Sequence, residues 1–215
     1  MFKKLSILLG VILTCSLVAA AQEVRQEITI SATGMFTANS NSNFLVHRAT
    51  ESGGILAGYR WNFNHWASVE ANYGWNRNSQ QYVALGFGLN NVQANVNQWT
   101  ADFVAHTPTW RMFRPYVLAG GGAFVFRPTS SFVALSDAQG VRANLPIGTD
   151  TQGTFVYGGG ADIGLMTREA GRPGVSLRLG YRGYAFKVPN FGFARLNVNS
   201  WSHTSVPEAG LTFRF

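Results

Sequence analysis

"ILAGYRWNF" (residues 55–63) and "WASVEANYGW" (residues 66–75), joined by Asn64-His65, decide how this chain folds. In the first stretch Ile55, Ala57, Tyr59, Trp61 and Phe63 share one face of an extended backbone, and Arg60 lies on the other. In the second, Ala67, Val69, Ala71, Tyr73 and Trp75 share a face, and Glu70 lies opposite. A two-residue period marks a strand with two unlike faces, and a two-residue spacer between such strands marks a hairpin. In both strands the charge falls on the face of small and polar side chains. A soluble barrel turns its charges to water and its large residues inward. The opposite arrangement suits a wall whose outside is lipid and whose narrow inside is polar.

The same parity recurs downstream. In "VSLRLGYRGY" (175–184), Val175, Leu177, Leu179 and Tyr181 oppose Ser176, Arg178, Gly180 and Arg182. In the closing "EAGLTFRF" (208–215), Leu211, Phe213 and Phe215 oppose Glu208, Thr212 and Arg214. Eight alternating segments are legible in all, at 27–36, 54–63, 66–75, 96–105, 116–126, 154–165, 175–186 and 206–215. Each is near the ~9–11 residues that a tilted strand needs to cross a bilayer. Three connections are short: Asn64-His65, "HTPTWR" (106–111) and "MTREAGRPG" (166–174). Four are longer, at 37–53, 76–95, 127–153 and 187–205. Short turns at one end and long loops at the other are the pattern of an eight-stranded antiparallel up-and-down transmembrane β-barrel, an all-β fold. An even strand number puts both termini on the short-turn side, which in such a barrel is periplasmic. Charge on the lipid face costs ~2–4 kcal/mol near the midplane, so the charged face is assigned to the lumen.

The chain start and composition agree with export. Phe2-Lys3-Lys4 precedes an apolar run from Leu5 to Val18 and a small-residue "AAA" at 19–21, the form of a cleaved signal peptide. This divides the chain into a signal at 1–21 and a barrel domain at 22–215. Cys15, the single cysteine, leaves with the signal, so neither disulfides nor thiolate sites are expected. Removing Lys3 and Lys4 from 17 cations leaves 15 against 10 acids. An exported, Arg-rich chain suits a phosphate-bearing surface, and no motif points to nucleic acid.

"GYRWNFNHWASVEANYGW" (58–75) resembles the second hairpin of the OmpA-like outer-membrane barrel family. "RPYVLAGGGAFVF" (114–126), "VYGGGADIGL" (156–165), "VSLRLGYRGYAF" (175–186) and "EAGLTFRF" are similar to its later strands, and OmpX-like barrels share the pattern. The resemblance implies a lumen in which a Glu pairs with an Arg across the barrel, positions matched by Glu70 and Arg178. Asp162 matches the acid of a second pair, whose Lys position carries Asp102 here. Arg60 and Arg182 are available to neutralise the extra acid. With Glu208 and Arg214 these form the expected lumen charge network. Ending on an aromatic after an alternating strand resembles the C-terminal assembly signal read by the barrel-insertion machinery, here Phe213 and Phe215. Many family members continue into a peptidoglycan-binding domain, so a chain that stops at the barrel implies no cell-wall tether.

The implied role is structural: membrane integrity and surface contacts through the loops, with room for a narrow gated pore for small solutes. The implied partners are outer-membrane lipids or lipopolysaccharide, and the implied state is a monomer with no cofactor and no metal. An adhesin of OmpX type is the alternative, since "QYVALGFGL" (81–89) and "NFGFARLNV" (190–198) alternate enough to project beyond the membrane. A lipid A-modifying enzyme is the third class. It rests on His203 and Ser205, a His-x-Ser spacing that needs an orienting acid to act. His47, His65 and His106 are scattered without metal-ligand spacing. The triplets Gly120–Gly122 and Gly158–Gly160 precede no Lys-Ser/Thr and lie inside strands, so they read as close approaches rather than phosphate loops.

Overall fold

The computed structural model describes residues 26–42, 45–84, 88–107, 111–130, 148–166, 174–191 and 200–215. Within them lie ten strands: β1 (Gln26–Thr37), β2 (Ser40–Ser42), β3 (Leu45–Ala49), β4 (Ser52–Asn62), β5 (Ala67–Ala84), β6 (Gly88–His106), β7 (Phe113–Pro128), β8 (Asp150–Met166), β9 (Gly174–Lys187) and β10 (Trp201–Arg214). All pairings are antiparallel, and the order β5-β4-β1-β10-β9-β8-β7-β6 is closed by a β5–β6 ladder. The result is a closed eight-stranded barrel, with β2 and β3 as a small hairpin beside it. Closure matters physically because an open edge in hydrocarbon would leave unpaired backbone groups. The two chain ends meet here: β1 pairs β10 from Glu27↔Arg214 onward, and the Phe215 amide donates to the Gln26 carbonyl at 2.8 Å.

All eight expected segments are strands, but most run longer than their patterns. The expected loop at 76–95 is largely sheet. β5 and β6 stay paired from Ala67↔Ala105 up to Ala84↔Gly88, far beyond the last β4–β5 pair at Gly54↔Asn76. The polar composition there ("NRNSQQ", "NVQANVNQ") obscures strands that have left the lipid and no longer need an apolar outer face. The expected loop at 37–53 contains the β2–β3 hairpin, and β3 pairs β5 at Leu45↔Ala84 through Ala49↔Gln80. β10 begins at Trp201 rather than 206. Pro207 lacks an amide hydrogen, yet it interrupts only the β1 ladder, which skips from Thr33↔Glu208 to Phe36↔Ser205; Pro207 remains paired with Tyr181 of β9. Much of 190–198, all but Asn190 and Phe191, lies outside the described residues, as does the signal segment.

The outer wall is apolar and exposed. Ile30, Ile55, Phe103, Val117, Leu179 and Leu211 stand 41–63% exposed along its middle. Trp61, Phe63, Trp66, Phe113 and Phe215 ring the short-turn end; Tyr73, Trp75, Trp99, Tyr157, Tyr181 and Trp201 lie toward the loop end. Two aromatic girdles around an aliphatic band are the signature of a wall in a bilayer. At the Asn64 turn the side-chain Oδ1 accepts from the Trp66 and Ala67 amides at 3.0 and 2.8 Å, which closes the β4–β5 hairpin tightly.

Candidate functional site in the barrel lumen

Parity carries the charged side chains inward from seven strands. β1 contributes Glu27, β4 Arg60, β5 Glu70, β6 Asp102, β8 Asp162, β9 Arg178 and Arg182, and β10 Glu208; all are at most 5% exposed. Glu70 is the hub. Its Oε2 accepts from Arg60 Nε at 2.7 Å and from Arg178 Nη1 at 3.0 Å, and its Oε1 accepts from Arg182 Nη2 at 2.5 Å. The two residues matched to the family's cross-barrel pair are thus in contact. Arg178 also grips Asp162 with two nitrogens, Nε to Oδ1 at 2.8 Å and Nη2 to Oδ2 at 3.3 Å. Arg182 spans three carboxylates, reaching Asp102 Oδ2 at 2.5 Å and Glu208 Oε2 at 3.1 Å as well as Glu70. Arg60 Nη1 lies 3.3 Å from Glu27 and 3.2 Å from Asp162. Of the two arginines available to the extra acid Asp102, Arg182 contacts it, whereas Arg60 sits on Glu27, Glu70 and Asp162.

The remaining members lie toward the termini. Arg114 Nη1 donates to Glu27 Oε1 at 3.0 Å, while Arg214, a quarter exposed, lies 3.5 Å from the same oxygen. Five carboxylates (Glu27, Glu70, Asp102, Asp162, Glu208) face five guanidiniums (Arg60, Arg114, Arg178, Arg182, Arg214), so the layer is formally neutral. Neutrality is what permits burial, because an unpaired ion in such a place costs several kcal/mol. Neutral donors complete the layer: Tyr116 Oη to Glu208 at 3.0 Å, and Asn72 Nδ2 to Asp102 at 2.8 Å. The Tyr116 ring lies 5.2 Å from the guanidinium carbons of both Arg60 and Arg178.

Glycine makes the room. A Cβ on Gly180 would lie 2.5 Å from the Tyr116 hydroxyl and 2.7 Å from Glu208 Oε1. One on Gly122 would lie 1.9 Å from the Trp99 carbonyl, a close approach of neighbouring strands rather than a ligand loop.

Sequence reasoning missed three features. Glu27 and Arg114 belong to the layer; Glu27 shares parity with Thr29, Ser31 and Thr33, and Arg114 is the second residue of β7, before the alternating stretch at 116–126 begins. The third is a correction of the rule that large residues point outward. Toward the loop end the lumen is apolar: Phe124, Phe126, Val156, Tyr184, Phe186, Phe191 and Val206 are at most 2% exposed and face inward. Phe124 and Phe186 meet edge-on with centroids 4.8 Å apart. The physical reason is that this part of the lumen must be filled and holds few charges. Aromatic residues on β7 and β9 fill it at no electrostatic cost.

Phe213 pairs across to Ile28 and Val175, and Phe215 stands at the rim. His203 and Ser205 point outward. His203 Nε2 is hydrogen-bonded to the Tyr157 hydroxyl at 2.7 Å and Ser205 Oγ to the Tyr181 hydroxyl at 3.0 Å. Among the described residues no hydrogen bond joins His203 to Ser205, and no carboxylate orients the imidazole. His47 and His106 are bonded to Gln80 and Ser68 at 2.7 and 3.0 Å, at opposite ends of the barrel.

A closed eight-stranded wall, doubly girdled and filled with ion pairs, defines an integral outer-membrane barrel. The chain belongs to the outer membrane protein beta-barrel domain family, whose match covers residues 7–215. No curated protein matches it. Among solved structures it is similar to the Neisserial surface protein A, at 12% identity and TM-score 0.57, covering 88% of this chain and 97% of that one. It is similar to OprG from Pseudomonas aeruginosa at 14% identity and TM-score 0.53, covering 89% and 96%. It is also similar to Ail, the attachment invasion locus protein of Yersinia pestis, solved with the heparin analogue sucrose octasulfate. That match has 15% identity and TM-score 0.50, covering 90% and 100%. At these identities the likeness is one of fold.

Proposed function

We propose that this barrel is a closed, non-catalytic structural element of the outer membrane, a monomer with its termini on the periplasmic side and its long connections outward. The observation that carries this reading is the double closure of the lumen. The Glu70 layer crosses it near the termini, and the Phe124–Phe186 cluster fills it toward the loops. A gated pore for small solutes needs both to part. Reconstitution in a planar bilayer tests this: the expected record is silent, and steady single-channel steps would overturn it. A lipid A-modifying activity is tested by mass spectrometry of lipid A from cells with and without the protein, with identical spectra expected.

A second reading, surface attachment, is favoured by one observation. The β5–β6 hairpin continues eight residues on β5 beyond its last partner on β4, from Asn76 to Ala84. Shortening residues 77–95 and measuring binding of whole cells to host surfaces tests it; unchanged binding removes it.

A further inference from the structure

We propose that Arg77, Asn95 and Arg127 form a binding site for the phosphate of an outer-leaflet glycolipid. The three are register partners on adjacent strands: Arg77 pairs with Asn95 across β5–β6, and Asn95 pairs with Arg127 across β6–β7. Parity turns all three outward. Adjacent strands are ~4.8 Å apart, so the two arginine backbones stand ~10 Å apart with Asn95 between them, a span that long guanidinium side chains can close around one phosphate. Arg77 is held in place, its Nε donating to Asn95 Oδ1 at 2.8 Å, which leaves its terminal nitrogens for another acceptor. Among the described residues neither Arg77 nor Arg127 meets a carboxylate; the nearby Glu51 forms no ion pair with them.

Height in the membrane chooses the occupant. One pair below the row, Trp75 faces Asn97, and one pair below that, Tyr73 faces Trp99, with ring centroids 4.5 Å apart. Tyr73 also donates to Asn97 Oδ1 at 2.9 Å. Each strand therefore steps from aromatic or apolar to polar and charged within ~7 Å per pair of residues. The row stands where acyl chains end and headgroup phosphates begin. Because the lumen cancels its own charge, these exposed cations keep theirs for a partner. Bidentate guanidinium–phosphate contacts suit that partner. The inference rests on the loop end facing the outer leaflet.

The experiment uses the full chain folded in detergent and probed with bisphosphorylated lipid A, dephosphorylated lipid A, and sucrose octasulfate as a soluble polyanion. The variants are the double Arg77→Gln/Arg127→Gln, and Lys187→Gln on β9, across the ring from β5. Gel mobility without boiling confirms that each variant is folded. The expected result is at least a tenfold loss of bisphosphorylated lipid A binding in the double variant, none in Lys187→Gln, and recovery in Arg77→Lys/Arg127→Lys. Equal binding of dephosphorylated lipid A, an equal loss in Lys187→Gln, or preference for sucrose octasulfate over lipid A would each overturn the site. Surface labelling of a cysteine at Ser79 in intact cells tests orientation separately, so failure of the topology is distinguishable from failure of the site.

Discussion

Arg182 carries more of the lumen than Arg178, although the family pattern pointed to Arg178. If Arg178 is cut to Ala, Glu70 keeps Arg60 and Arg182, and Asp162 keeps Arg60 at 3.2 Å. If Arg182 is cut, Asp102 and Glu208 lose the one guanidinium each contacts. Leaving a buried partner uncompensated costs about 3–5 kcal/mol. Arg182→Ala is therefore expected near or above that range and Arg178→Ala below it, measured as urea unfolding midpoints in lipid vesicles. Adding Asp102→Asn to Arg182→Ala should recover part of the loss. Equal midpoints for the two single variants would contradict the hub arrangement. At Gly180 a methyl group has no room beside Tyr116 and Glu208. Gly180→Ala should cost about 1–3 kcal/mol by overpacking, read by the same unfolding titration.

At the scale of elements, the β2–β3 hairpin and the terminal strand behave differently. His47 fastens the hairpin to β5 by donating from Nε2 to Gln80 Oε1, while its Nδ1 is buried without a hydrogen-bond partner. Burial holds this imidazole below its ordinary range, with the Gln80 bond opposing weakly. A depressed pKa means the unfolded state binds the proton more tightly. The stabilisation is complete above the free-histidine value of about 6.5 and is lost as pH falls below it. Hydrogen exchange at the Val46 and Arg48 amides should thus be better protected at pH 7.5 than at pH 5.5, after correction for intrinsic rates. His47→Gln should abolish the difference. The terminal strand presents a different case. Deleting Phe215 removes one backbone hydrogen bond and a side chain that is 48% exposed. The loss is of the order of one to two kcal/mol, since burying a whole large apolar side chain contributes ~1.5–3 kcal/mol. Refolding into detergent should be near normal while insertion in cells falls. Normal surface levels in cells would refute the assembly role.

For the whole molecule, closure governs behaviour. With all eight barrel strands paired on both sides, the barrel should migrate faster on a gel before boiling than after; identical migration would contradict closure. The proposed double closure also makes a prediction about conductance. Arg178→Ala alone should remain silent in a planar bilayer because the aromatic cluster still fills the lumen. Channel steps should require Phe124→Ala and Phe186→Ala in addition. A current from Arg178→Ala alone would show that the apolar cluster does not seal.

What the sequence determined was everything that follows from a period of two. The repeated pairing of large residues on one face with Arg60, Glu70, Arg178 and Arg182 on the other specified strands, their number, and which face met lipid, because charge cannot rest in hydrocarbon. Parity drew attention to charges on six of the eight barrel strands, but not to Glu27, the first residue of its segment, nor to Arg114, two residues before the segment at 116–126. Where lipid no longer constrains the outer face, as along residues 77–83 and 88–95, the pattern fades and strands read as loops. Only the tertiary structure decided which charges meet. Partners such as Glu70 and Arg182 are 112 positions apart, and their contact depends on barrel curvature, strand stagger and the space left by glycines such as Gly180. It alone decided that aromatic side chains on β7 and β9 turn inward, because whether an apolar residue faces lipid or fills a lumen depends on what stands across the barrel from it.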